Sequence, residues 1–405
     1  MTSPSQKNVN LLIADSFSRP AIDKLKTLAN VQYKPDLKSE ELPALIQDYH
    51  ILVVRSTKVT AQTIENGKSL SLIVRAGAGV NTIDVDAASK QGIFVSNCPG
   101  KNSAAVAELT LGFLLALDRR IPENVLELRE RKWNKTEFSR ADGLLGKTLG
   151  IIGLGSIGKE VAFRAKSFGM KISGFSRALT KETARVLEIE FCPDLLSLAA
   201  GSDAVSIHLS LNSETKNLIG QSFFQAMKPR AIFINTSRAE IVDTESLLKA
   251  VQEKKIRVGL DVFPDEPGTG KGEYSHPILN LPGVYGTHHI GASTEQAQEA
   301  IANETVRIIN RYLTTGEVEN CVNLSQNTPA THQLVIRHKD KVGVLAGILD
   351  LLKEAKINIE EMENRIFEGK EAAVCKIRLS SKPQGEILTQ IQSSKDIIQV
   401  ELLPV

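Results

Sequence analysis

Three polar residues follow short apolar runs late in the chain: Arg238 in INTSRAEIVD, Glu266 in GLDVFPDEP and His289 in GTHHIGAST. An imidazole backed by a carboxylate is a general base, and a guanidinium beside it grips a carboxylate or polarises a carbonyl. The set suits oxidation of a 2-hydroxy acid: His289 takes the hydroxyl proton as hydride leaves carbon 2, Glu266 orients the ring, and Arg238 holds the acid. Each residue taken singly is also an ordinary surface charge or a helix cap. Their order along the chain, each at the end of an apolar run, is what joins them.

Hydride needs an acceptor. IIGLGSIGKEVA places Gly153, Gly155 and Gly158 in GxGxxG register, with Ser156 and Ile157 between them, where a strand gives way to a helix. The first glycine permits a tight turn, the second lets a pyrophosphate approach the backbone, and the third lets helix close on strand. A dinucleotide is therefore expected. The next strand, KISGF, ends in Ser176 and Arg177, where this fold usually carries a carboxylate for the adenosine ribose. Serine removes repulsion of a 2′-phosphate and arginine pairs with one, which suits NADP; alternatively Ser176 binds the ribose of NAD while Arg177 stacks on adenine, so NAD is expected with NADP open.

The elements that position these groups alternate. NLLIAD, AIDKLKTLA, ILVVRS and TIENGKSLSLIVRAGAGV form one βαβ series; from Lys147 a second runs through TLGIIG, KISGF, SDAVSIHLSL, RAIFINTSR, IRVGLDVF and GVYGTHHIGAS. Both predict mostly parallel sheets, the second doubly wound with its ligand beyond the strand carboxyl ends. SAAVAELTLGFLLALDRR, at 103–120, is too densely apolar for a one-sided surface helix and is expected to be buried between domains or subunits. Residues 323–333 read as a polar linker, and 334–405 as a βαββαβ ferredoxin-like module. The fold class expected is thus α/β, two doubly wound domains plus this small module.

Bulk composition narrows the partners. Lys plus Arg number 49 against 47 Asp plus Glu, so no global field favours nucleic acid or an anionic membrane, and binding of anions must be local. Cys98, Cys192, Cys321 and Cys375 lack CxxC spacing, which predicts no metal site and a reducing compartment. The start MTSPSQKNVNLLIADSF lacks the pattern of a secretory signal, so a cytoplasmic location is expected.

Seven ordered segments carry a resemblance across nearly the whole chain: VVRSTKVTAQTI, VRAGAGVNTIDVDAA, SNCPGKNSAAVAELT, GLGSIG, INTSRAEIVD, GLDVFPDEP and HHIGAST. The sequence resembles the D-isomer-specific 2-hydroxy-acid dehydrogenases, closest to the branch that oxidises 3-phospho-D-glycerate to 3-phosphooxypyruvate at the start of phosphorylated L-serine biosynthesis. The resemblance implies Arg238, Glu266 and His289 as the catalytic trio, Asp261, Val106 and Asn102 near the nicotinamide, and Thr236, Ser237, Gly291 and Ala292 along the cofactor. It also implies a substrate domain of residues 1–103 completed by 294–322, and a dinucleotide domain of 104–293. A phosphorylated substrate needs cations: Arg55, with Ser56, follows a strand, and Arg75 precedes a turn whose Gly77 and Ala78 amides suit a carboxylate.

There are departures from the family pattern. His288 stands where proline is usual, and Ala239 and Ala292 replace glycines, which implies right-handed turns there. The C-terminal module resembles an ACT domain, implying an effector such as L-serine held between two modules by His338, Asp340 and Asn358, and a homodimer or homotetramer. Two other readings stand beside this one. A glyoxylate or hydroxypyruvate reductase suits the Ser176–Arg177 pair, and a dinucleotide-sensing corepressor or scaffold would carry the same fold with vestigial catalysis.

Overall fold

The computed structural model of the protein describes residues 9–267, 272–325 and 328–405, in two units, Met1–Asn323 and Leu324–Val405. The first unit holds two parallel sheets. β1 (Asn10–Ile13), β2 (Asn30–Tyr33), β3 (Ile51–Val54), β4 (Leu72–Arg75) and β5 (Phe94–Asn97) pair in the order β2-β1-β3-β4-β5. The inner strands read as unbroken apolar runs because both faces are covered. Ile22 and Leu25 pack on one face together with Ile301, Ile308 and Ile309 of the helix Glu295–Thr315, and Leu42, Ile46 and Ile64 on the other. β2 was not apparent in the sequence: it is an edge strand, NVQY, with its polar residues turned outward.

The second sheet comprises β6 (Thr148–Ile152), β7 (Lys171–Phe175), β8 (Glu190–Phe191), β9 (Ala204–Ile207), β10 (Ile232–Asn235), β11 (Arg257–Leu260) and β12 (Val284–Gly286), in the order β12-β11-β10-β9-β6-β7-β8. The order reverses between β6 and β9. A crevice opens at such a switch point, beyond the strand carboxyl ends. The dense helix, Ser103–Arg119, lies on this sheet through Leu111, Phe113, Leu114 and Leu117. Gly259 of β11 admits it, since a Cβ there would stand 2.8 Å from the Phe113 ring.

The second unit has β13 (His332–Lys339), β14 (Ile359–Ile366), β15 (Ala372–Leu379) and β16 (Ile397–Pro404), antiparallel in the order β14-β15-β13-β16. Helices Val344–Glu354 and Gly385–Ser393 supply Ile348, Leu352 and Ile391 to its core, giving the βαββαβ order. The residues read as a linker need adjusting: β13 already begins at His332, because HQ continues the alternation of LVIRHK, and residues 326–327 of that stretch lie outside the described residues. Among the described residues no helix is long and apolar enough to cross a membrane.

The chain crosses between the two parallel sheets at residues 98–102 and again near 287–295. Glu304 anchors the first crossing to the helix Glu295–Thr315. Its carboxylate, only 6% exposed, takes Lys101 Nζ at 3.3 Å, Arg307 Nη2 at 2.7 Å and Asn320 Nδ2 at 3.1 Å. The Arg307 hydrogen bond, opposed by burial and joined by Lys101, pulls its pKa down to about 2. A depressed folded-state pKa contributes stability that is complete above the ordinary value of 4.5 and is lost as pH falls toward about 2. With two partly exposed partners, Glu304→Gln is expected to cost about 1–3 kcal/mol near neutral pH. Urea midpoints of wild type and variant should converge as pH drops below that ordinary value; a gap independent of pH would refute the assignment.

Candidate active site

At the end of β6 the chain turns through Gly153, at φ +93°, where a Cβ would collide with the His208 carbonyl. A Cβ on Gly158 would strike the Gly153 carbonyl, whereas one on Gly155 would meet nothing within 4 Å. The first glycine therefore makes the turn, the third seats the helix, and the second leaves open space at the N-terminus of the twelve-residue helix Ser156–Ser167, which begins with Ser156 and Ile157. Exposed amides and the positive end of a helix dipole suit a pyrophosphate, so these residues fit a dinucleotide. Beyond β7, Ser176 Oγ has no hydrogen bond among the described residues, and the Arg177 guanidinium is engaged by Glu214 from the loop after β9.

His208, which sequence reading passed over, closes β9 at this switch point. Its Nε2 meets Ser206 Oγ at 2.8 Å, its Nδ1 is buried without a partner, and burial pushes its pKa down to about 3. It is a neutral imidazole on the residue whose backbone carbonyl lies against the Gly153 turn. The available signal was a histidine at the end of the apolar run AVSI, adjacent in the sheet to the glycine strand.

Asp261, at the end of β11, is 1% exposed. Its Oδ1 accepts from Thr287 Oγ1 at 2.6 Å and Ile290 N–H at 2.8 Å, and its Oδ2 from Gly291 N–H at 2.8 Å. Every one of these bonds goes to the loop 287–291, so the carboxylate read as a neighbour of the nicotinamide also holds that loop in shape. Within the loop His289 takes a left-handed φ of +52°. Ala239 and Ala292 do not, and Ala239 opens a 3₁₀ turn. Gly291 sits where a Cβ would stand 2.9 Å from Asp261 Oδ2 and 3.4 Å from Val106 Cγ2, which brings the buried helix against the loop. Ala292 contributes its carbonyl to Gln298 Nε2 at 2.8 Å.

His289 Nδ1 lies 2.7 Å from Glu266 Oε2, while Glu266 Oε1 accepts from Phe263 N–H at 2.8 Å. Burial raises the Glu266 pKa, but hydrogen bonds from His289 and Phe263 and the charge of Arg238 outweigh it and hold the carboxyl below its ordinary range. An ionised carboxylate only accepts, so the proton sits on Nδ1 and Nε2 of the neutral ring is left as a base. His288 is exposed and forms no such pair.

Arg238 follows β10. Its Nη1 donates to the Ser237 carbonyl at 2.7 Å and its Nη2 to Asn81 Oδ1 at 3.4 Å, in the loop after β4. The close approach needs Gly79, where a Cβ would meet Nη2 at 2.5 Å. Arg75 lies beside it: Nε is buried without a partner, and burial, then the charges of Arg238 and Arg55, lower its pKa to about 10. Arg75 and Arg238 thus lie at one loop, and Arg75 also feels the charge of Arg55. Gly77 gives Arg75 room, since any Cβ there would collide with Nη1, and the Gly77 and Ala78 carbonyls accept from Cys98 N–H at 2.9 Å and Asn97 Nδ2 at 2.6 Å. The Arg55, Ser56 and Thr57 amides converge on Asp15 Oδ2 at 2.6, 3.1 and 3.1 Å. Asn102 precedes the buried helix with its Oδ1 buried and unpaired, and the next residue, Ser103, has an unpaired Oγ. Thr236 Oγ1 meets Thr110 Oγ1 at 3.3 Å, and Ser237 Oγ donates to the Ile207 carbonyl at 2.7 Å.

The three residues read as an effector site are not brought together within one chain. His338 is 2% exposed, with Nδ1 on the Lys339 carbonyl and Nε2 at Asn364 Oδ1. Its strand partner is Ala373, whereas Asn358 is bonded to Ser380 at the far end of β15. Six residues of extended chain separate the two by roughly 20 Å. Asp340 is exposed, with its backbone N–H on the Glu371 carbonyl.

Residues 111–291 match the NAD binding domain of the D-isomer specific 2-hydroxyacid dehydrogenases. The chain is 41% identical over 318 residues to a D-3-phosphoglycerate dehydrogenase of Methanocaldococcus jannaschii, covering 78% of this chain and 60% of that protein. It is 43% identical over 279 residues to a hydroxypyruvate reductase of Thermotoga maritima, covering 68% of this chain and 89% of that protein. A crystal structure of NAD⁺-bound 3-phosphoglycerate dehydrogenase in Entamoeba histolytica superposes with a TM-score of 0.66 at 28% identity, covering 78% of this chain and 99% of the other.

The hydrogen bonds of Asp261 generate a direct expectation. Asp261→Asn turns one acceptor into a donor facing Ile290 or Gly291, leaves a buried amide unsatisfied, and should cost about 1–3 kcal/mol. Amide exchange at Ile290 and Gly291 should accelerate more than exchange in β6. Unchanged protection at both amides would mean that the loop is held by something else.

Proposed function

Because the chain belongs to the D-isomer-specific 2-hydroxyacid dehydrogenase family, we propose that it oxidises a phosphorylated 2-hydroxy acid, 3-phospho-D-glycerate, to the 2-oxo acid with NAD. The observation that carries this reading is the pairing of His289 with Glu266 at 2.7 Å in the same unit as three guanidiniums that lack anionic partners among the described residues. A substrate with a carboxylate and a phosphate supplies two anions, and one cation would not neutralise both.

NAD, when bound along the Gly153–Gly158 turn, supplies the hydride acceptor. His289 Nε2 removes the hydroxyl proton, and the electron pair of the breaking O–H bond forms the new carbonyl as hydride departs from carbon 2. Glu266 keeps the ring oriented and offsets the positive charge that develops on it. Arg238 binds the carboxylate and the incipient carbonyl. Arg75 and Arg55, joined by Ser56, take the phosphate; of the two amides after β4 expected to hold the carboxylate, Ala78 keeps that role, because the Gly77 N–H donates to the Arg75 carbonyl at 2.8 Å. Asn102 and Val106 border the nicotinamide; Thr236, Ser237, Gly291 and Ala292 line the cofactor's path, and Ser176 faces its ribose.

The C-terminal unit is read as an ACT-like regulatory module. Since His338 and Asn358 sit at opposite ends of its sheet, a small amino acid such as L-serine would have to be held by residues from two modules, in a homodimer or homotetramer. The protein is read as cytoplasmic. Reduction of hydroxypyruvate or glyoxylate is the second reading, favoured by the similarity to the Thermotoga protein.

His289→Ala is expected to lower kcat by roughly 10²–10⁴-fold while changing the NAD dissociation constant by less than about threefold. With wild type, kcat/KM for 3-phosphoglycerate should exceed that for glycerate by roughly 10²-fold or more, as loss of a charge-assisted contact requires. Equal turnover of the two acids would remove the phosphorylated substrate and leave the reductase reading.

A further inference from the structure

Arg177 and Glu214 form an ion pair between the end of β7 and the loop after β9. Both are well exposed, 75% and 68%, so the pair contributes little to stability. Its location is more informative. The end of the second strand is where a dinucleotide fold reads the adenosine 2′ position, by a carboxylate for a hydroxyl or a cation for a phosphate. This chain has separated those roles: Ser176 and Arg177 occupy the strand end, and the carboxylate arrives from a different loop.

That loop is built to present it. Asn212 Oδ1 accepts from the Glu214 and Thr215 amides at 2.9 and 3.0 Å. Thr215 Oγ1, in a residue 8% exposed, accepts from Asn212 N–H at 2.8 Å and bonds the Ser210 carbonyl at 2.7 Å. Side-chain bonds of this kind fix the backbone conformation of a short loop. Glu214 is thus carried on a rigid support, while Arg177 has four rotatable bonds with which to meet it.

We infer that Glu214 is a specificity-determining residue that favours NAD over NADP by occupying Arg177 and setting a negative charge beside the 2′ position. The inference rests on the dinucleotide reading proposed above. A 2′-phosphate must draw Arg177 away from Glu214 and then lie near that carboxylate, whereas a 2′-hydroxyl does neither and meets the unbonded Ser176 Oγ.

The test is calorimetric titration of NAD and NADP, without substrate, into wild type, Glu214→Gln, Arg177→Ala and the double variant. Glu214→Gln should tighten NADP by roughly fivefold to tenfold and NAD by less than about twofold, and rising salt should shrink the gain. In the Arg177→Ala background the same substitution should gain NADP by a smaller factor, since the cation to be released is gone and only the repulsion by the carboxylate is relieved. An equal change for both dinucleotides, no change in their ratio, or a full gain without Arg177 would overturn the inference. Failure of wild type to bind either dinucleotide would instead overturn the reading on which it rests.

Discussion

Asp261 is a buried carboxylate with no cation paired to it among the described residues, and the conformation of the loop that carries His289 depends on it. Charge in such a place is tolerated only when its oxygens are fully hydrogen bonded, and here Thr287, Ile290 and Gly291 supply the donors. The consequence is local and severe. Three residues within five must point donors at one group, and the residue between them, His289, takes a left-handed conformation that a histidine rarely adopts. That conformation turns the ring toward Glu266. Strain at His289 and burial at Asp261 are two sides of one arrangement, each accounted for by the other.

The same economy governs the crossings between the parallel sheets. Residues 98–102 are secured at Lys101 by Glu304 and at Cys98, whose Sγ lies 3.5 Å from Thr305 Oγ1. The return crossing is secured by Asp261 and by Gln298 on the Ala292 carbonyl. Between these fixed margins the middle of the site is electrostatically incomplete. Burial and the charges of Arg238 and Arg55 lower the Arg75 pKa to about 10, and Arg238 meets Asn81 only at 3.4 Å. Hydrogen bonds hold the margins, and among the described residues the three central guanidiniums form no ion pair, as the proposed binding of an anionic substrate needs.

The sequence made much of this legible where chemistry and spacing coincide within a few residues. The glycine spacing alone led to the turn, because two steric requirements, at Gly153 and Gly158, fall within six positions. The choice of His289 over His288 followed from its place before IGAS, and Glu266 selects the same ring. What escaped depends on partners distant in the chain. Arg177 and Glu214 are 37 residues apart, Arg238 and Asn81 157, and nothing at either end announces the other. His208 was invisible for another reason: a histidine after an apolar run has no distinguishing pattern until the sheet order sets it beside the glycine strand. The edge strand β2 was missed because its exposed face breaks the apolar run that marks its neighbours.

The residues expected to hold an effector between two modules are placed by strand register. His338, Asp340 and Asn358 were joined by resemblance, yet strand register carries His338 and Asn358 to opposite ends of one ladder. Register in an antiparallel sheet is set by the alternation of buried side chains: Leu334, Ile336 and His338 share the covered face with Ala373, Cys375, Ile377 and Leu379. A shift that brought Asn358 beside His338 would expose that apolar face. The separation is therefore as firmly specified as the core, and any ligand that needs both residues needs two copies of the module.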